Sequence, residues 1–275
     1  MEQLEVEDGA EEHAMDEPGV GIWPQLTALD GALVDVHHLG ILLVSELEHE
    51  LPDGLPGPCI KQQALQGADN ALLTLTKADA RDAEALVALM KGASAVVNSA
   101  GNAGDGAAFV EMGRTVIQSA ERVLGPGGRL WFLGGLSVMR IPNTNRLGVD
   151  LPGMPEMYQT HRANHETLRA SSLDWSMLCP GPLLDTADRP ALDTLRISTE
   201  VLPFEIDVSD APDDARLFSR LRDRLPETTL PYATAAEVVM CHLEKNGPFS
   251  RQRVGLALPV GRTAEKQGWV LGKRG

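Results

Sequence analysis

The chain has 275 residues, 43% of them hydrophobic, and a formal net charge of −15 from 24 basic and 39 acidic residues. That length supports one large α/β domain or two small ones with ample core. The acidic balance argues against nucleic acid or an anionic membrane surface as a partner, and no run approaches the ~18 uninterrupted apolar residues of a membrane span.

The N-terminal stretch "MEQLEVEDGAEEHAMDE" lacks the basic start and apolar run of a secretory signal, so a cytoplasmic protein is expected. Residues 1–73 carry 15 Asp and Glu against the single Lys61, whereas residues 74–275 set 24 acidic against 23 basic residues. The chain changes character near Thr74. Within the acidic part, "GALVDVHHLGILLVSELEHEL" accommodates a strand and a helix, or one helix. Gly19-Val20-Gly21 leads into Ile22, Trp23 and Pro24, which reads as a plain turn and not as a G-x-G-x-x-G phosphate loop. His37, His38 and His49 offer no zinc-ligand spacing.

From Thr74 onward the pattern is regular. "DARDAEALVALMKGA" reads as a helix with Asp82 as N-cap. "SAVVNSAG" is a short buried strand running into a glycine-rich loop, and "DGAAFVEMGRTVIQSAERVLG" is a long helix closed by Gly125. Strands follow at 129–133, 175–179 and 254–258, with helices over "MYQTHRANHETLRASS" and over "TAAEVVMCHLEKNG" as far as Gly247. Trp131, Phe132, Trp175 and Met177 read as core strand residues. Continuous apolar strands alternating with helices predict a Rossmann-like, doubly wound, mostly parallel α/β sheet. Residues 185–231 break the rhythm with Asp, Pro and Arg and read as an inserted cap near the sheet's carboxyl edge. The tail, 262–275, is expected to be loose. Cys59, Cys179 and Cys241 form no metal pattern and read as free thiols of a reducing compartment.

Four features then fall in one order along 74–261. Asp79 and Asp82 follow a short strand. Asn98-Ser99-Ala100-Gly101 ends the next, and Ser137 follows the strand "WFLGG". Tyr158-Gln-Thr-His-Arg162 opens a helix before "LRASSLDWSMLCPGP". In open α/β sheets such groups cluster at the carboxyl ends of the strands, where ligands bind. This order resembles the short-chain dehydrogenase/reductase superfamily, and most of all its atypical NAD(P)H-binding, NmrA-like branch. The resemblance implies NAD or NADP as cofactor and a small-molecule substrate. It implies that Asp79 approaches the adenine, and that Asn98, Ala100, Gly101, Pro180 and Gly181 lie along the cofactor. Ser137 and Tyr158 match the catalytic Ser and Tyr, and Arg162 stands where a Lys completes Y-x-x-x-K. Cys179 stands at the family's Arg before Pro-Gly. A second register, counted back from "LRAS", puts His161 at the Lys position and Met157 at the Tyr position.

The superfamily's first ~70 residues carry a glycine-rich turn whose backbone and following helix hold the pyrophosphate. Residues 1–73 show none of its signals. Either they are a divergent Rossmann half, or they are foreign to the body that begins at Thr74, for example through a shifted reading frame. The expected activity is that of an NAD(P)-binding oxidoreductase acting on a small carbonyl or alcohol, with cofactor binding impaired. A non-catalytic nucleotide-sensing or protein-interaction module is the alternative. A sugar-nucleotide epimerase ranks third, with Arg189, Arg196 and Arg216 scattered through the cap.

Overall fold

The computed structural model describes residues 31–36, 39–44, 73–76, 78–208, 213–269 and 271. The readings made on Gly19–Gly21, His37, His38, His49 and Cys59 lie outside the described residues.

The strands expected from two-faced apolar runs form one sheet. β4 (Ala95–Asn98), β5 (Arg129–Leu133), β6 (Asp174–Cys179) and β10 (Gln252–Ala257) lie side by side and parallel. Alternate residues serve opposite cores, as a period of two requires. Val96, Leu130, Phe132, Trp175 and Met177 pack with α1 (Ala83–Met90), α2 (Ala107–Leu124) and α3 (Gln159–Ala170) on one face. Val97, Trp131, Leu178, Val254 and Leu256 pack with α5 (Tyr232–Met240) on the other. Asp82 caps α1, its carboxylate accepting from the backbone N–H groups of Glu84 and Ala85. Gly125 ends α2 with φ +70°.

On the far side of β4 the sheet continues through β1 (Gly31–Val36), β2 (Leu39–Val44) and β3 (Leu73–Thr76). The full order is β3-β1-β2-β4-β5-β6-β10-β8. β1 runs parallel to β3, but β2 runs antiparallel to both β1 and β4. Where a doubly wound sheet carries a parallel strand beside β4, this one carries an antiparallel strand.

Residues 185–231, expected to form a cap, contribute elements to both sheets. They supply β8 (Arg196–Thr199), which adds antiparallel to β10 as an outer strand. They also supply α4 (Asp214–Arg224) and a short parallel ladder in which β9 (Leu230–Pro231) pairs with β7 (Leu183–Leu184).

Three expectations are corrected. The helix expected to reach Gly247 stops at Met240. The carbonyl of His242 is taken by the Trp131 indole at 2.7 Å and the Arg129 guanidinium at 3.0 Å. The Asn246 N–H, which a continuing helix would need, donates instead to buried Asp174 at 2.6 Å. The described part of the tail is docked: Ala264 N–H donates to the Pro226 carbonyl at 2.9 Å, and Lys266 sits over the Tyr232 ring. Of the cysteines, Cys179 is free and buried, its thiol pushed up to about 12 by burial, but Cys241 is disulfide-bonded.

Candidate active site

The site grows from two loops tied together at the carboxyl edge. After β5 the chain turns through Gly134 and Gly135 into a 3-10 turn, Leu136–Val138, that carries Ser137. The Gly134 N–H donates to the Leu178 carbonyl at 2.7 Å and the Leu136 N–H to the Pro180 carbonyl at 3.0 Å. The loops after β5 and β6 are thereby laced to each other, which fixes Ser137 beside Pro180-Gly181. The hydroxyl oxygen of Ser137 is buried and, among the described residues, has no hydrogen-bond partner.

The start of α3 brings the second group. Tyr158 stands at its N-cap and His161 one turn further on. Their rings stack with centroids 6.1 Å apart and planes 13° apart, and Phe109 of α2 meets the imidazole edge-on at 5.6 Å. A Cβ on Gly135 would lie 2.8 Å from two atoms of the imidazole, so only glycine lets the ring rest against this backbone. Burial lowers the His161 pKa from 6.5 to about 4. At neutral pH the ring is an uncharged imidazole whose Nδ1 has no partner among the described residues.

Ser137, Tyr158, His161, Pro180 and Gly181 line one cavity of about 290 Å³. Its outer wall comes from Phe218, Leu221, Arg222 and Leu225 of the α4 region, and from Lys266, Trp269 and Leu271 of the tail. The spacing 218, 221, 222, 225 is one helix face, a signal legible in the sequence and not used there. Arg162 is absent from the lining. It turns toward Asp150 and forms an ion pair with that carboxylate. His161, the residue of the second register, rests against Gly135 and lines the cavity together with Ser137.

The remaining expected residues lie on the same sheet edge but outside this cavity. Asn98 ends β4 fully buried. Its side-chain oxygen accepts from the Ala100 N–H at 3.3 Å, and its amide nitrogen has no partner among the described residues. Gly101 has φ +100°, and a Cβ there would come within 2.4 Å of Phe109. Asp79 is gripped by hydrogen bonds from Arg81, which hold its carboxyl at about 2. Asp82 is spent on the α1 cap.

Residues 60–210, more than half of the chain, match the sequence profile of the NAD(P)H-binding family. The chain belongs to the NAD(P)H-binding family. A short-chain dehydrogenase/reductase from Veillonella parvula is similar in structure, with a TM-score of 0.50 at 13% identity, over 74% of this chain and 79% of that one. A Rossmann-fold NAD(P)-binding family protein from Shigella flexneri gives 0.47 at 16% identity, over 76% and 81%. At such identities the likeness speaks to the fold alone. No curated protein matches the sequence. Among the described residues no helix is long and apolar enough to cross a membrane, and no cluster of His, Cys, Asp and Glu is suited to a metal ion.

An NAD(P)H-binding protein must meet its dinucleotide with polar atoms at the carboxyl edge of the sheet. The Asn98 amide nitrogen and the Ser137 hydroxyl are buried and unpartnered among the described residues, which leaves them to meet a ligand. The pyrophosphate end calls for a parallel strand beside β4 that runs into a glycine turn and a helix N-terminus. β2 occupies that place, runs antiparallel, and is joined to β1 through residues 37 and 38 alone.

Proposed function

We propose that the chain is an oxidoreductase of the atypical short-chain dehydrogenase/reductase type, acting on a small carbonyl or alcohol held in the cavity beside Ser137 and Tyr158. The observation that carries this reading is the buried, unpartnered Ser137 hydroxyl in the lining it shares with Tyr158. A buried polar atom without a partner costs about 1–3 kcal/mol, a cost that a substrate oxygen relieves. In this reading the Ser137 hydroxyl donates to that oxygen and Tyr158 gives it a proton, or takes one in the reverse direction. The His161 imidazole fixes the Tyr158 ring from beneath. Bound nicotinamide supplies or accepts the hydride; Asn98, Ala100, Gly101, Pro180 and Gly181 would lie along it, with Asp79 toward the adenine.

A second reading, a non-catalytic nucleotide-sensing or protein-interaction module, is favoured by one observation. Neither candidate for the family's lysine position on α3 brings a charge to the cavity, since Arg162 is paired with Asp150 and His161 is neutral. The deciding experiment follows oxidation of NADH and NADPH with a panel of aldehydes and ketones, alongside calorimetric titration of both cofactors. Turnover abolished by Tyr158→Phe supports the enzyme. Cofactor binding without turnover on any substrate supports the module.

A further inference from the structure

The outer half of the cavity departs from the rest of this acidic protein. Among the described residues its lining includes two cations, Arg222 and Lys266, and no Asp or Glu, although the chain has 39 acidic and 24 basic residues. The Arg222 side chain is 59% exposed, and the carboxylate nearest to pairing with it is its neighbour Asp223, at 3.9 Å. Lys266 lies over the Tyr232 ring at 5.9 Å and makes no ion pair among the described residues. Asp185 acts electrostatically on the Tyr232 hydroxyl but does not line the cavity. Much of the remaining lining is apolar and includes Leu133, Met154, Phe218, Leu221, Leu225 and Trp269. At about 30 Å³ for a water-sized group, 290 Å³ holds about ten non-hydrogen atoms.

We infer that the cavity selects an apolar carbonyl or alcohol that bears a carboxylate, with the hydrocarbon body along the apolar wall and the carboxylate between Arg222 and Lys266. The inference rests on the cavity being the substrate site, as proposed above. Cations that meet a carboxylate at a cavity mouth contribute charge-assisted hydrogen bonds without full burial of either charge. They come from two separate segments, α4 and the tail, so the site is complete only with the tail in place.

The test is calorimetric titration of the full chain with octanoate and with 1-octanol, repeated on Arg222→Gln/Lys266→Gln. Both side chains are partly or largely solvent-exposed, and a melting curve establishes that the variant is folded. The wild type should bind both ligands. The double variant should bind octanoate on the order of tenfold more weakly and 1-octanol as before. Octanoate affinity that survives both substitutions overturns the inference and leaves the cavity standing as a substrate site. An equal loss for both ligands overturns it as well, by assigning the two residues to packing. Failure of the wild type to bind either ligand overturns both the inference and the function proposed for the cavity.

Discussion

Tyr158 and His161 are stacked one helical turn apart, their ring planes 13° from parallel. The two rings pack against each other, while Arg162 of the same helix pairs with Asp150. Tyr158→Phe keeps the stack and removes only the hydroxyl. It should lower turnover by about 10²–10⁴ with little change in melting temperature. Arg162→Met removes a pair whose side chains are about one-third exposed, so turnover should stay within about threefold of wild type. A loss as large as that of Tyr158→Phe would restore the charge-tuning role expected from the Y-x-x-x-K match. Steady-state kinetics on the best substrate of the carbonyl panel reads both.

Stability should fall on acidification through a defined window. Folding lowers the His161 pKa from 6.5 to about 4, chiefly by burial. Between those values the unfolded chain takes up a proton that the folded chain refuses. The stabilisation is therefore complete above pH 6.5, declines as the pH falls, and is gone near pH 4, a change of about 3 kcal/mol. His165 is lowered in the same direction, by burial first and then by Arg253. Urea unfolding at pH 7 and pH 5 measures the slope. His161→Phe should flatten it in part and leave the His165 share.

Gly135→Ala should be costly for a steric reason alone, since its φ of −144° is open to any residue. The new methyl would sit 2.8 Å from His161, and overpacking of this kind costs about 1–3 kcal/mol. His161→Ala in the same chain should recover most of that loss. Additive effects in the double variant would show that the two residues do not press on each other.

Cofactor affinity should be low. A glycine turn contributes charge-assisted hydrogen bonds of about 1.5–3 kcal/mol each, so two lost bonds cost on the order of 10²–10⁴ in affinity. A family member of micromolar affinity would then fall to roughly 0.1–10 mM. Calorimetry with NADH and NADPH should find dissociation constants in that range. A low-micromolar value would mean that a working phosphate site lies among residues 1–73.

The sheet from β4 onward was legible because its strands are buried on both faces and therefore read as unbroken apolar runs, as in Ala95–Asn98 and Arg129–Leu133. β8 was not, because an outer strand buries little and "RIST" carries one apolar residue. The end of α5 was misjudged because helix periodicity cannot report that two side chains of β5 take a carbonyl at His242. That Ser137 and Tyr158 would share one sheet edge was legible from their order along the chain, and both line the cavity. The choice between His161 and Arg162 was not, since it depends on Gly135 leaving space for one ring and on Asp150 drawing the other side chain away. The tail was misread because Trp269 and Leu271 fall in a short stretch between glycines, Gly268 and Gly272, too brief to carry a period that shows it packs.

β8 has a consequence for self-association. A sheet that ended on β10 would present six residues of bare backbone, Gln252–Ala257, as a template for another chain. The insertion covers that border with a strand of only four residues. The Arg196 side chain at its head is held by the Leu258 carbonyl and Glu227, each at 2.7 Å. A short edge headed by a charge is a poor seed for cross-chain pairing. The segment that walls the cavity thus also guards the protein against edge-to-edge aggregation.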